Sequence, residues 1–235
     1  MYGKGFSRAY DELGWNVWPE LFAEQLLAWL RETGRTVRTA LDLGCGTGVL
    51  CKALSAAGIR TLGVDLSPEM IAIARSRSPD LAYETGDMTV WRAPGSYDLV
   101  TCTGDALNHL SSPDDVRRVF ENVYACLKPG GVFVFDLLSE REAEESGPVE
   151  LWREGGERCL FSIRRGPEGA VDLSVSLVRE DGTGWEEHIR ETLHDPEAVC
   201  GMLRGAGFSG VTCRHRLAES AEDRALTWFV FAHRD

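Results

Sequence analysis

Three glycines at alternate positions, in the run Leu41-Asp42-Leu43-Gly44-Cys45-Gly46-Thr47-Gly48, constrain this chain more than any other feature. Apolar residues close a strand before them, and a helical pattern from Val49 to Ala57 follows at once. Glycine tolerates positive φ and lets main chain come into contact with a ligand. A strand-to-helix turn also aims N–H groups at whatever lies above it. The next strand pattern, Thr61-Leu62-Gly63-Val64, ends in Asp65, 21 positions after Gly44. A doubly wound fold puts the carboxylate that holds a ribose diol at that point. The pattern therefore points to a nucleoside site.

The details narrow the nucleoside. A dinucleotide fingerprint needs Gly or Ala at its sixth position; here that position is Val49, and Gly48 comes one residue early. A phosphate-binding P-loop needs Gly-Lys-Ser/Thr, and no lysine follows Gly48 until Lys52. An E/D-x-G-x-G-x-G turn followed by an acid after the next strand resembles the class I S-adenosylmethionine (SAM) methyltransferases. Further stations agree with that resemblance: Gly86-Asp87-Met88 after Leu81-Ala82-Tyr83-Glu84, then the strand Tyr97 to Cys102. Leu127-Lys128-Pro129-Gly130-Gly131 follows as a turn into the strand Val132 to Asp136. The likeness is close over residues 37 to 138 and looser elsewhere. It implies SAM as cofactor and S-adenosylhomocysteine as product. It also implies a cofactor site built from Asp42, Gly44, Cys45, Gly46, Gly48, Asp65, Leu66, Asp87, Met88 and Thr103.

The alternation of strand and helix over 37–138 predicts a doubly wound, mostly parallel seven-stranded sheet with helices on both faces. Helices are expected after Gly46, after Ser67-Pro68, and after Ser112-Pro113 with Asp114-Asp115 in its first turn. From about 149 to 193 the rhythm changes to short strands broken by turn residues, among them Gly155-Gly156. Val171, Leu173, Val175 and Leu177 alternate with polar residues, as in a strand with one wet face. This predicts an antiparallel β insertion after strand five. A helix from Pro196 to the Gly205-Ala206-Gly207-Phe208 turn, then strands Val211–His215 and Leu226–Ala232, complete the sheet. The expected organisation is an N-terminal helical segment (1–36), a SAM-binding domain (37–148 and 194–235) and the insertion (149–193). By resemblance the first closes over the cofactor as a lid, and the last roofs the substrate pocket.

Formal charge is 25 − 37 = −12, which disfavours nucleic acid as a partner, because phosphate backbones are bound by clustered Lys and Arg. No apolar run approaches the roughly 20 residues of a membrane span. No apolar stretch of a secretory signal follows Met1-Tyr2-Gly3-Lys4-Gly5. Seven cysteines without a C-x-x-C pair read as buried thiols of a reduced protein, so the expected location is the cytoplasm. The five histidines lack metal-ligand spacing, and no metal is expected. Cys45 reads as a small residue fitted between glycines rather than as a nucleophile, since no histidine is near it in sequence. The expected partner is a small molecule; oligomeric state is open.

Methyl transfer from a sulfonium needs alignment, exclusion of water and a deprotonated nucleophile, so no obligatory catalytic residue marks it. The loop after strand four, Thr103-Gly104-Asp105-Ala106-Leu107-Asn108-His109-Leu110, lies where ligands bind in such sheets. It resembles the G-N-S-x-x-H-L loop of glycine, sarcosine and small-amine N-methyltransferases. His109 matches the histidine there, while Asp105 replaces the asparagine. An acid at that place repels a carboxylate and attracts an ammonium group. Catalytic roles are thus expected for Asp105, His109 and, by resemblance, Tyr10 of the N-terminal Tyr-Asp pair. The bland alternative has Asp105 or Asn108 capping the following turn. Asn108 is also a candidate substrate contact. On the insertion, Glu186, His188, Arg190 and Thr192 share one face; it is either solvated, or it points down and makes His188 and Arg190 substrate contacts.

The expected activity is SAM-dependent methylation of a nitrogen or oxygen on a small polar metabolite. Alternatives are an RNA or protein side-chain methyltransferase and an inactive SAM-binding regulator.

Overall fold

The computed structural model describes residues 2–141, 143–144, 146–154, 157–215, 217 and 227–235. The expected turn at Gly155-Gly156 and the expected strand start at Leu226 lie outside the described residues. Strands β1 (Thr39–Leu43), β2 (Arg60–Asp65), β3 (Ala82–Thr85), β4 (Tyr97–Cys102) and β5 (Leu127–Leu138) run parallel. With β10 (Ser209–Arg214) and β11 (Thr227–His233) they form a seven-stranded sheet of order β10-β11-β5-β4-β1-β2-β3. β11 is antiparallel to β5 over seven pairs, from Thr227↔Leu138 to His233↔Val132. Chain order reverses between β1 and β4, so a crevice opens above the carboxyl ends of these strands.

Period-two alternation distributes β5 between two cores. Phe133, Phe135 and Leu137 join Phe120 of α5 (Pro113–Cys126) and Leu203 of α6 (Pro196–Gly205). Val132 and Val134 face the other way, onto Phe22 and Leu26 of α2 (Val17–Glu32) and Leu50 and Leu54 of α3 (Val49–Ala56). Burying one such phenylalanine stabilises the fold by about 2–3 kcal/mol. Helices therefore cover both faces, and all five residues of β1 are buried.

Helix α4 (Pro68–Arg77) starts as its sequence dictates, with Ser67 Oγ accepting from Met70 N–H. Ser112 sits at the N-cap of α5 but makes no side-chain capping bond. β5 begins five residues before its expected start because Leu127 already pairs with Tyr97; Val132 pairs with Leu99, and the intervening glycine turn is absorbed as a register shift.

Strands β6 (Ser146–Glu154), β7 (Glu157–Arg165), β8 (Ala170–Val178) and β9 (Gly184–Thr192) form a separate antiparallel meander in chain order. Cys159, Val175 and Ile189 on its inner face pack against Phe6 of the short helix α1 (Lys4–Ala9), with Tyr2, Tyr10 and Trp15 alongside. No helix among the described residues is long and apolar enough to cross a membrane.

At the amino ends of β1, β4 and β5, Asp98 accepts bonds from Arg38 N–H, Thr39 N–H, the Thr39 hydroxyl and Lys128 Nζ, at 2.9–3.0 Å. Partial burial works against the charge, but these donors win and hold the carboxyl at about 2. Because the folded value is depressed, its contribution is complete above the ordinary value near 4 and disappears as pH falls towards 2. Asp98→Asn should therefore be less stable than the native chain by about 2 kcal/mol at pH 6, with the gap narrowing below pH 4. Urea unfolding at stepped pH checks this; a gap independent of pH contradicts it.

Candidate functional site

Two adjoining cavities occupy the crevice. The first, about 200 Å³, lies over the glycine turn and the carboxyl ends of β1 and β2. Gly44, Gly46 and Gly48 all have positive φ (70°, 51° and 82°), so the sequence spacing is a backbone requirement. A Cβ on Gly44 would come within 2.7 Å of Ala106 Cβ, closing the contact between the turn and the loop after β4.

Asp65 faces the turn across the cavity. Gly46 N–H donates to one of its oxygens and Ser67 N–H to the other, each at 2.8 Å, which fixes the plane of the carboxylate. Burial raises its pKa, and the two N–H bonds oppose that rise. Each oxygen has a further lone pair for a ligand hydroxyl. Asp42 is fully buried, accepts from the Thr101 hydroxyl (2.8 Å) and Cys51 Sγ (3.5 Å), and is pushed up to about 7 by desolvation. Asp87 is exposed at the far end, its Oδ1 accepting from Thr89 N–H and Oγ1. Asn122 holds that turn in place through the carbonyls of Met88 and Thr89. Leu66, Met88, Cys45 and Thr103 complete the walls. Cys45 is buried, as expected of a packed thiol.

The second cavity, about 390 Å³, shares Tyr2, Tyr10 and Gly104 with the first. Trp15, Trp18, Phe161, Leu173 and Ile189 line it, with Asp105 and Glu191 as its acids. Asp105 has φ 58°, ψ 20°, a left-handed conformation that non-glycine residues seldom adopt. It starts the short 106–109 turn without a side-chain capping bond, so the capping alternative does not describe it.

Asp136, at the end of β5, imposes that conformation. Its Oδ2 accepts from Trp18 Nε1 (2.6 Å), the Thr103 hydroxyl (2.8 Å) and Gly104 N–H (3.1 Å), and its Oδ1 from Asp105 N–H (3.2 Å). Burial raises its pKa against the pull of these four donors. Sequence reading missed Asp136, Trp18, Tyr2 and Glu191. The available signal for the first was an acid closing the apolar run Val132-Phe133-Val134-Phe135.

His109 lines the first cavity, with Nε2 3.0 Å from the Tyr2 hydroxyl and 3.9 Å from Glu191 Oε1. Desolvation lowers its pKa, so the ring is neutral at pH 7. Asn108 is fully buried: its amide nitrogen donates to Thr192 O (2.8 Å), and its oxygen accepts from Leu138 N–H (3.1 Å). It clamps the loop to β9 and β5 and has no side-chain atom left for a substrate. His188 and Arg190 point to solvent, with 72% and 71% of their side chains exposed, and Arg190 pairs with Asp172. The solvated alternative describes that face; the residues of β9 at the cavity are Ile189 and Glu191.

No Lys or Arg lines either cavity among the described residues, whereas Asp42, Asp65 and Asp87 line the first. A pyrophosphate would meet these three carboxylates and no Lys or Arg there among the described residues. A nucleoside carrying a sulfonium cation fits the charge, the diol acceptor and the glycine cradle.

Known proteins agree. The family described as a methyltransferase domain matches residues 40–131. A dTDP-3-amino-3,6-dideoxy-alpha-D-glucopyranose N,N-dimethyltransferase of Streptomyces fradiae is 32% identical over 194 residues, covering 80% of this chain and 76% of that protein. A SAM-dependent methyltransferase from Clostridium acetobutylicum superposes with a TM-score of 0.83 at 21% identity, with 97% of each chain covered. SAM-bound CalS10, an amino pentose methyltransferase from Micromonospora echinaspora, gives 0.77 at 23% identity, over 100% of this chain and 98% of that one. The chain belongs to the class I SAM-dependent methyltransferases, and SAM is its cofactor.

The Asp136 cluster yields a stability test. Asp136→Ala strands four donors in a buried place and should cost about 3–5 kcal/mol, whereas Trp18→Phe removes one donor and should cost about 2 kcal/mol. Denaturant unfolding of both variants measures this; equal losses contradict a shared acceptor.

Proposed function

We propose that this enzyme methylates a nitrogen or oxygen of a small molecule held in the second cavity, beside Asp105 and His109. The observation carrying this reading is the common wall of Tyr2, Tyr10 and Gly104, which makes the two cavities neighbours across a few side chains. The Streptomyces fradiae relative, named as a sugar N,N-dimethyltransferase, supports a small-molecule acceptor. So does the lack of cationic lining among the described residues, which suits neither RNA nor DNA. A SAM-binding regulator without turnover would have no use for a second cavity beside the cofactor's. Seven free cysteines, six of them buried, favour a reducing compartment, and we place the protein in the cytoplasm.

In this reading Asp65 accepts the ribose hydroxyls and Asp87 with Met88 takes the adenine edge. The turn Gly44 to Gly48, with Asp42 beneath it, faces the methionine part, and Leu66 and Thr103 wall the slot. Bound SAM supplies a methyl group on a positively charged sulfur. The N-terminal segment 1–36 acts as a lid and the meander of 149–193 as a roof. Their aromatic side chains exclude water and align the acceptor. Asp105, or neutral His109 through Nε2, takes the proton that the nucleophile loses.

Two outcomes are expected. Asp65→Ala should weaken S-adenosylhomocysteine binding by roughly 1.5–3 kcal/mol and by more than Asp87→Ala, because it removes an acceptor of two charge-assisted bonds. Calorimetry giving equal or reversed losses would reassign the two acids. Asp105→Asn keeps a residue that tolerates the left-handed backbone, so the loop should survive. Turnover should fall by about 10²-fold or more, while S-adenosylhomocysteine affinity stays within about twofold. Unchanged turnover would remove Asp105 from the chemistry.

A further inference from the structure

The N-terminal segment gives Tyr2 and Tyr10 to the wall of the first cavity, and it is tied down at two places. At its start, Gly3 N–H donates to Glu187 of β9, and the Tyr2 hydroxyl meets His109 of the loop after β4. Further along stands Asp11, its side chain 13% exposed, and its two oxygens serve different elements. Oδ1 accepts from the Thr47 hydroxyl at 3.0 Å, and Oδ2 pairs with Nη1 of Arg77, the last residue of α4.

Thr47 is buried between Gly46 and Gly48, and Gly46 N–H is one of the two donors that orient Asp65. One carboxylate therefore joins the segment that carries both tyrosines to the turn that cradles the cofactor. Through Arg77 it also joins that segment to α4, whose N-cap, Ser67, lines the same cavity. Neither Asp11 nor Arg77 lines either cavity. Beyond Asp11 the chain runs as turns to α2, and Gly14 holds φ at 83° where a Cβ would meet nothing within 4 Å. A glycine in open space is a place where a chain swings without repacking. The two halves of the tie also differ in shelter. Arg77 is 45% exposed and within reach of salt, whereas the Thr47 hydroxyl is buried.

Resting on the lid reading above, we propose that Asp11 is the clasp of the lid: by bridging Thr47 and Arg77 it sets how long the cofactor and its spent product stay bound. Arg77 is then a positioning residue that acts through Asp11.

Release of tritiated S-adenosylhomocysteine from the full chain into an excess of the unlabelled compound, timed by rapid filtration, tests this. Asp11→Asn and Arg77→Ala should each release it about fivefold faster than the native chain. The double variant should be no faster than the quicker single one, because both changes break the same tie. Arg77→Lys should bring the rate back to within about twofold of native, and raising salt from about 0.05 M to about 0.5 M should speed the native chain but not Arg77→Ala. Native rates in both single variants, a double variant whose effect is the product of the two, or failure of lysine to restore the rate overturns the clasp. Urea midpoints equal to that of the native chain show that the variants are folded; where one falls, the salt dependence of the native chain decides. Tyr10→Ala separates the two readings. If it speeds release while the Asp11 and Arg77 variants do not, only the clasp fails; if it too leaves release unchanged, the lid fails with it. A native chain that does not bind S-adenosylhomocysteine would instead strike the cofactor site itself.

Discussion

One buried carboxylate organises the catalytic end of this molecule. Asp136 lies two residues before the end of β5, on the face that packs against α2, and its four donors come from that helix and from the loop after β4. A charge so deep is tolerated only when its oxygens are saturated by donors, and each donor is thereby fixed in direction. Gly104 and Asp105 have their N–H groups committed to it, which leaves the Asp105 backbone in a conformation it would not choose in isolation. The sheet thus sets the loop, the loop sets the acid, and α2 is tied to both through the Trp18 indole.

The cofactor half was legible because its chemistry is backbone chemistry. Gly44, Gly46 and Gly48 appear in the sequence at the spacing their positive φ values demand, and Asp65 follows at the distance fixed by one helix and one strand. The mostly parallel sheet with helices on both faces followed from strand–helix alternation. The substrate half was only partly legible. Which face of β9 turns inward depends on the packing of Ile189 with Phe6, Cys159 and Val175, and a row of alternating charges does not reveal it. Hence His188 and Arg190 were candidates while Glu191, the residue that follows Arg190, was not. Asn108 fell to the same difficulty: an amide near a ligand loop reads as a contact until both of its ends are seen on main-chain partners.

Electrostatics divides the molecule differently from its fold. The cations near these elements are spent at the periphery: Lys128 on Asp98 at the amino ends of the strands, Arg190 on Asp172 outside the meander, Arg77 on Asp11. The interior of the crevice keeps the acids. A cationic cofactor meets a matching field on arrival, and the chain's formal net charge of −12 extends it outward at low ionic strength.

Asp11 accepts from the Thr47 hydroxyl of the glycine turn and pairs with Arg77 of α4, so the N-terminal segment is anchored to both of these elements. The same segment contributes Tyr2, Tyr10 and Trp15 to the walls of the second. The same short segment thus ties the cofactor's turn to the acceptor's walls, so that in the proposed lid the two cavities open together.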